Sequence, residues 1–356
     1  MIHYAPFSGS YLPTDVLLLF KPILIESLET SQVVNIRTGE PIVEPLPTED
    51  YLTFFYQAVT HNKKKLAYHI LSLAHLLHTT KSQFTLVSLA RSGTPIGVLI
   101  KRTLEAVFSQ TVPHYSISLI REKGIDENAL RYILEQQGTN GEDIVFIDAW
   151  TGKGILTREL HKWVSLFNHH FNTCISTKLW VITNIAGGAV NSISLEDYLI
   201  PSALLKTTVS GLTSQAILHR RYVGVDDFHG CFFYQAYQQQ DLSLWFVEQI
   251  MAEVNALAEH PVSYATVSAE AKILRQQENA NFLEYLMRHL HIPHSSHIYP
   301  SIGGTIRVLL RHMPQKILVK RPQCIDVAAI EYLANIKQVP IEVHTEMPYQ
   351  AVGIMN

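Results

Sequence analysis

Between residues 84 and 184 the hydrophobic period switches repeatedly between strand-like and helix-like, and this alternation limits the fold more than any other feature. "FTLVSLA" is a short continuous apolar run, followed by "PIGVLIKRTLEAVF", whose apolar residues fall at helical spacing behind an opening Pro. "HYSISLI" alternates as a strand, "DENALRYILEQQ" starts on a capping Asp, and "DIVFIDA" is again a strand. "GILTRELHKWVSLF" and "KLWVITNI" complete the series as helix and strand. Strands joined by helices of this length cannot pair as hairpins. They predict an α/β fold with a parallel sheet covered by helices on both faces.

Outside that block the organisation changes. Residues 1–60 read as an irregular N-terminal extension with spaced prolines, in which Thr48 caps a short amphipathic helix beginning near Tyr51. A helix, "LAYHILSLAHLLH", leads into the alternating block, so 61–258 forms the main domain. "EHPVSYATVS" reads as a linker, and 266–356 as a second, small α/β domain opening on the long helix "AEAKILRQQENANFLEYLMRHL".

The net charge of −3 excludes a chain that is basic or acidic as a whole. Three cysteines, Cys174, Cys231 and Cys324, are too few and too scattered for a disulfide framework or a zinc site, which predicts a reducing, cytoplasmic setting. The start "MIHYAPFSGSYLP" lacks a signal-peptide layout, and no apolar run approaches a membrane span, so no membrane association is expected. The histidine run 289–297 has no Cys or acid beside it and predicts no metal site.

In an open parallel sheet, ligands gather at the carboxyl ends of the strands. Two strand ends here carry anion-binding chemistry. In "SLARSGTPIG", Arg91, Ser92, Gly93 and Thr94 stand between a strand and a helix start; Gly93 permits close backbone approach and Arg91 supplies charge. In "FIDAWTGKG", Asp148 ends a strand and Thr151, Gly152, Lys153 and Gly154 open a helix. The second loop is not a nucleotide-triphosphate loop, because Gly154 rather than Ser or Thr follows Lys153. An acid beside such a loop suits a sugar phosphate with free hydroxyls. Arg121 lies in a loop able to close over the same end.

A separate chemistry is offered by "DDFHGCFFY". On a strand, His229 and Cys231 share a face, and a Cys beside a His can act as a thiolate nucleophile; equally, Cys231 can be a buried small hydrophobe. Asp226 and Asp227 would form a rim beside them.

These blocks, with "EDYLIPSALLKTTVSGLTS", together resemble the stress-response phosphoribosyltransferase family of tellurite-resistance-type operons, also described as cysteine protease StiP. The resemblance implies a type I phosphoribosyltransferase-like sheet. On that basis Arg91, Asp148 and Arg121 would act on phosphoribosyl pyrophosphate carried with Mg2+, transferring its phosphoribosyl group to a base-like or RNA-linked acceptor. The alternatives are a cysteine peptidase using Cys231 with His229, and a non-catalytic module sensing a nucleotide or RNA. The tail, "IGGTIRVLLRHMPQKILVK", resembles pelota-type RNA-binding domains, which implies RNA contact through Gly303, Arg307 and Arg311.

Overall fold

The computed structural model describes residues 7–25, 33–34, 41–42, 46–188 and 191–355. Most of the proline-spaced stretch of the N-terminal extension lies outside them. Its described parts supply β1 (Leu17–Leu18), β2 (Lys21–Leu24) and the pair β3 (Val33–Val34) and β4 (Pro41–Ile42). The helix expected to be short at Thr48 and the one expected from residue 66 are a single element, α1 (Glu49–Thr80), capped by the Thr48 hydroxyl accepting from the Tyr51 amide at 3.3 Å. The polar stretch 60–65 contains no Gly or Pro, so nothing in the backbone breaks it.

The alternating block then gives β5 (Thr85–Leu89), α2 (Gly93–Phe108), β6 (His114–Ile117), the small hairpin β7 (Leu119–Ile120) and β8 (Gly124–Ile125), and α3 (Glu127–Arg131). The helix expected over 126–137 starts on an Asp126 cap but leaves α geometry at Tyr132, finishing as a π turn through Gln136. Next come β9 (Ile144–Thr151), α4 (Ile155–Phe171), β10 (Leu179–Asn184) and β11 (Asn191–Ser194). Six strands form one sheet in the order β1-β6-β5-β9-β10-β11, every pair parallel. Thus the N-terminal segment contributes an edge strand to the central sheet.

Alternate residues of β9 feed opposite layers. Val145 and Ile147 pack with α1, α2 and α5 (Ser243–Ala258), while Ile144 and Phe146 pack with α3 and α4. Both faces are therefore apolar and helix-covered, which explains the largely apolar runs of β5, β9 and β10. Packing beneath α2 is tight: a Cβ on Gly97 would sit 2.1 Å from the Ser88 hydroxyl and 2.3 Å from His114 Nε2. Between β11 and α5 the chain wanders through short turns and forms β12 (Gly230–Phe233), paired parallel to β2.

The linker is strapped to α1 by Tyr68 donating to the Ser263 carbonyl at 2.7 Å and by His75 stacked on Tyr264. Beyond it lie α6 (Ala269–His289), β13 (Ile298–Pro300), α7 (Ile302–Arg311), β14 (Lys316–Val319), α8 (Ile325–Ile336), β15 (Ile341–Val343) and β16 (Ala351–Ile354). Their sheet runs β13-β16-β14-β15, with α6 on one face and α7 and α8 on the other. The tail is seated on the first domain, with Tyr332 of α8 against Phe54 and Tyr51 of α1.

Candidate functional site

The first strand-end loop assembles at the carboxyl end of β5. Arg91 donates from Nη1 to the Thr213 carbonyl at 3.2 Å and to the Thr207 hydroxyl at 3.3 Å. Ser92 donates to Asp148 Oδ1 at 2.6 Å, and the Ala149 amide donates to the same oxygen at 2.8 Å. Thr94 turns inward to Ser116 Oγ at 2.8 Å. Gly93 is forced by contact, since a Cβ there would stand 2.6 Å from the Ile147 carbonyl. The parallel register of β5 beside β9 thus brings Arg91, Ser92 and Asp148 together. Burial raises the Asp148 carboxyl to about 6, opposed by the Ser92 and Ala149 hydrogen bonds and by the Arg307 cation.

The second loop is occupied by protein. Lys153 donates from Nζ to the carbonyls of Ser295 and Ile298, just before and at the start of β13. A Cβ on Gly152 would lie 2.8 Å from the Pro300 carbonyl. Thr151 donates to Asn184 Oδ1 at 2.9 Å, and Gly154 caps α4 at φ +71°. Burial and the nearby Arg121 and Arg158 cations lower Lys153 to about 8. Arg121 itself is exposed and pairs with Glu122 at 3.3 Å. An anion held here would have to take the place of carbonyl oxygens, which face Lys153 as its partners.

The tail residues face the same way. A Cβ on Gly303 would be 2.3 Å from Trp150 Cζ2, and the Arg307 guanidinium lies over the Trp150 ring at 5.9 Å. Arg307 is exposed as a residue, but its guanidinium loses water where it faces the protein, which depresses its pKa, and the Asp148 carboxylate opposes that shift. With the Gln215 amide turned so that its oxygen faces Arg311, that oxygen accepts from the guanidinium at 2.9 and 3.2 Å. At the start of α7 the Ile302 amide donates to Asp197 Oδ1 at 3.1 Å, and the Gln350 amide donates to Asp197 Oδ2 at 2.8 Å. Asp197 is the site residue that sequence reasoning missed. Nothing local marks it, because its partners lie more than a hundred residues downstream.

Cys231 sits on β12 in register with Pro22 and is fully buried. Burial drives its thiol well above the ordinary range, and the Arg91 cation opposes that shift. His229, just before the strand, pairs through Nδ1 with the Ser118 hydroxyl, while its amide donates to Asp126 Oδ2 at 2.5 Å. Burial lowers the imidazole to about 4, so the ring is neutral. No hydrogen bond joins the Cys231 thiol to His229 among the described residues. Asp227 pairs with Lys21 at 2.5 Å. Cys174 is exposed in the loop entering β10, at the amino end of the strands and so away from Arg91 at the carboxyl end; Cys324 precedes α8 in the tail. Among the described residues no group of three His, Cys, Asp or Glu could hold a metal ion, and no helix is long and apolar enough to cross a membrane.

Fold and site together define an α/β protein with a parallel sheet whose carboxyl end is closed by a second, smaller α/β domain. Residues 9–251 match the family described as tellurite-like stress resistance cysteine protease StiP, and residues 277–356 match the PELOTA RNA binding domain. A protein of Acinetobacter baylyi described as cysteine protease StiP is 31% identical over 368 aligned positions, covering 98% of this chain and 94% of that protein. The chain belongs to the StiP family. These matches overturn the expectation of a phosphoribosyltransferase acting on phosphoribosyl pyrophosphate: family and relative are both described as cysteine proteases, and the loop expected to grip the sugar phosphate is filled by carbonyls of the tail.

Proposed function

We propose that the chain is a cysteine peptidase of the StiP type whose nucleophile is the Cys231 thiol. The observation that carries the choice of cysteine is electrostatic. Of the two cysteines inside the family-matched span, Cys231 lies within reach of the Arg91 cation, which favours its thiolate, whereas Cys174 lies at the opposite, amino end of the strands. A cation favours the thiolate, the form that attacks a carbonyl.

The reaction then runs in two halves. The Cys231 sulfur bonds to the scissile carbonyl carbon, and its proton passes to a neutral base. His229, two residues earlier and unprotonated at neutral pH, is the base we assign. The C–N bond breaks as the departing amine takes that proton, and water hydrolyses the thioester, restoring the thiol. In the closed arrangement burial outweighs Arg91 and the thiol stays protonated. The enzyme is therefore latent as folded.

The test is hydrolysis of an unfolded protein substrate in low urea, below the unfolding transition, by the wild type, Cys231→Ala and Cys174→Ser. Cys231→Ala should abolish turnover and Cys174→Ser should retain it; full activity in Cys231→Ala would refute the assignment.

A second reading concerns the tail, favoured by its match to an RNA binding domain over 277–356. We infer that it contacts RNA. Contact through Gly303 would require α7 to leave Trp150, against which it is packed, whereas Arg307 is already exposed. Fluorescence anisotropy with a structured RNA at rising salt would test this, since phosphate contacts weaken steeply with ionic strength. No binding even at low salt would end the reading.

A further inference from the structure

The contact between the two domains has two halves of opposite chemistry. Where α8 meets α1 it is mainly apolar: Val327 and Ile330 share one buried cluster with Phe55 and Leu66, and Tyr332 lies on Phe54, with one polar contact, Asn62 Nδ2 donating to Asp326 Oδ1 at 2.8 Å. Where β13, α7 and α6 meet the carboxyl end of the main sheet, it is built from polar groups. Lys153 is held by the Ser295 and Ile298 carbonyls, and Asp197 by the Ile302 and Gln350 amides. Asn279 of α6 donates to the Ile185 carbonyl, and Arg275 to the Leu195 carbonyl at 3.3 Å. Arg307, an exposed residue, lies with its guanidinium over the Trp150 ring at 5.9 Å. Buried polar and charged contacts cost desolvation when they form and regain water when they part, so they add little net docking energy per contact. An apolar contact has no such compensation. The polar half therefore opens first, and the apolar half keeps the domains joined.

A small cavity lies on this seam, lined by Trp150, Asp197, Tyr198 and Gly303, so the polar side is also the less completely packed. From there a chain of contacts leads inward: Asp148 accepts from Ser92, and Arg91, next to Ser92, donates to the carbonyl of Thr213, which bridges to Phe233 on the same strand as Cys231. Moving α7 away exposes that series from its outer end.

We propose that the tail domain is a lid, hinged on the α1–α8 contact and latched by β13 and α7 over Trp150, Lys153 and Asp197, which closes the Arg91–Asp148 end of the sheet and keeps Cys231 latent. What the lid controls rests on the peptidase reading above; that the lid exists does not.

The test uses the full chain with two latch variants. Gly303→Leu puts a side chain into the Trp150 ring, and Lys153→Gln removes the ammonium without adding bulk. Amide hydrogen exchange is followed over 150–154 and 298–306, alongside alkylation of Cys231 and Cys174 by iodoacetamide with mass-spectrometric mapping. In Gly303→Leu, both peptides should exchange about tenfold faster and Cys231 should alkylate about tenfold faster, with Cys174 unchanged; Lys153→Gln should move the same readouts less. Should Gly303→Leu fail to fold, Lys153→Gln decides by the same readouts. Unchanged exchange in the folded variants would show that these contacts are not a latch and overturn the proposal. Faster exchange with unchanged Cys231 labelling would show that the lid does not cover the thiol, overturning it equally. A reactive Cys231 that still cleaves no protein substrate would support the lid and refute the peptidase.

Discussion

Helix α7 begins flat against an indole: a Cβ on Gly303 would approach Trp150 Cζ2 to 2.3 Å. The absence of a side chain at 303 lets the Trp150 ring serve as the floor on which the tail rests, with Arg307 over the same ring. Removing the ring should therefore loosen the tail without dismantling either core. For Trp150→Ala, the half-buried side chain predicts a loss of about 2 kcal/mol, toward the low end for large-to-small changes. Thermal unfolding followed by calorimetry should show the tail melting earlier than the main domain. A single transition at the wild-type temperature would show that the indole is not the floor.

The strand–helix alternation revealed the central sheet because strands buried on both faces show as continuous apolar runs, and β5, β9 and β10 are such runs. Among the strands that escaped, two did so for plain physical reasons. β1 is two residues long, too short for any period to register, yet it completes the sheet edge beside β6. β16 reads only as a short apolar tail, "AVGI", but it pairs with both β13 and β14 inside the tail sheet. At the site, register alone gathers Arg91, Ser92 and Asp148, so local reading found them. What covers them comes from residues 295–307, and no local pattern near Lys153 or Asp197 announces a partner so far along the chain.

Gly97 offers a sharp test of the core beneath α2. An added methyl would meet both the Ser88 hydroxyl and the His114 ring, and that ring is fixed on its other side by the Asp15 carbonyl at 2.8 Å from Nδ1. Ser88 can rotate, but His114 cannot retreat. Gly97→Ala should lower stability by about 2 kcal/mol, despite the usual gain from replacing a helical Gly. Chemical denaturation would measure it, and a neutral or stabilising result would show that the β5–β6 contact is looser than described.

The latch should respond to pH through Asp197. Its carboxyl is raised by burial to about 7 when docked, against the three amides that stabilise the anion, with Asp326 of α8 adding to the rise. Tyr349 also faces it. A raised acid pKa means that the docked state holds the proton more tightly. Its contribution is therefore complete below the ordinary Asp range near pH 4 and is lost as pH rises through about 7. Asp148, raised to about 6, has the same sign. Buried His69 and His114 and half-buried His229, each lowered to about 4, act oppositely on the whole fold: they favour it above pH 6.5 and cease to as pH falls through 4. Global melting should thus change little between these limits, while amide exchange at Ile302 and Gln350, corrected for its intrinsic rate, should quicken from pH 5 to 8. Asp197→Asn should remove most of that local slope. A slope that survives the substitution would assign the pH response to another group.

The three thiols should separate by reactivity in the native protein. Cys174 is exposed and should alkylate rapidly, Cys324 is half-buried, and Cys231 is sealed with its proton retained by burial. Reaction at Cys231 requires both access and ionisation, so its rate should follow opening of the structure rather than thiol ionisation alone. Adding low urea, below the unfolding transition, should accelerate Cys231 labelling while leaving Cys174 near its starting rate. If Cys231 reacts as fast as Cys174 without denaturant, the thiol is already open and the latent state described for it does not exist.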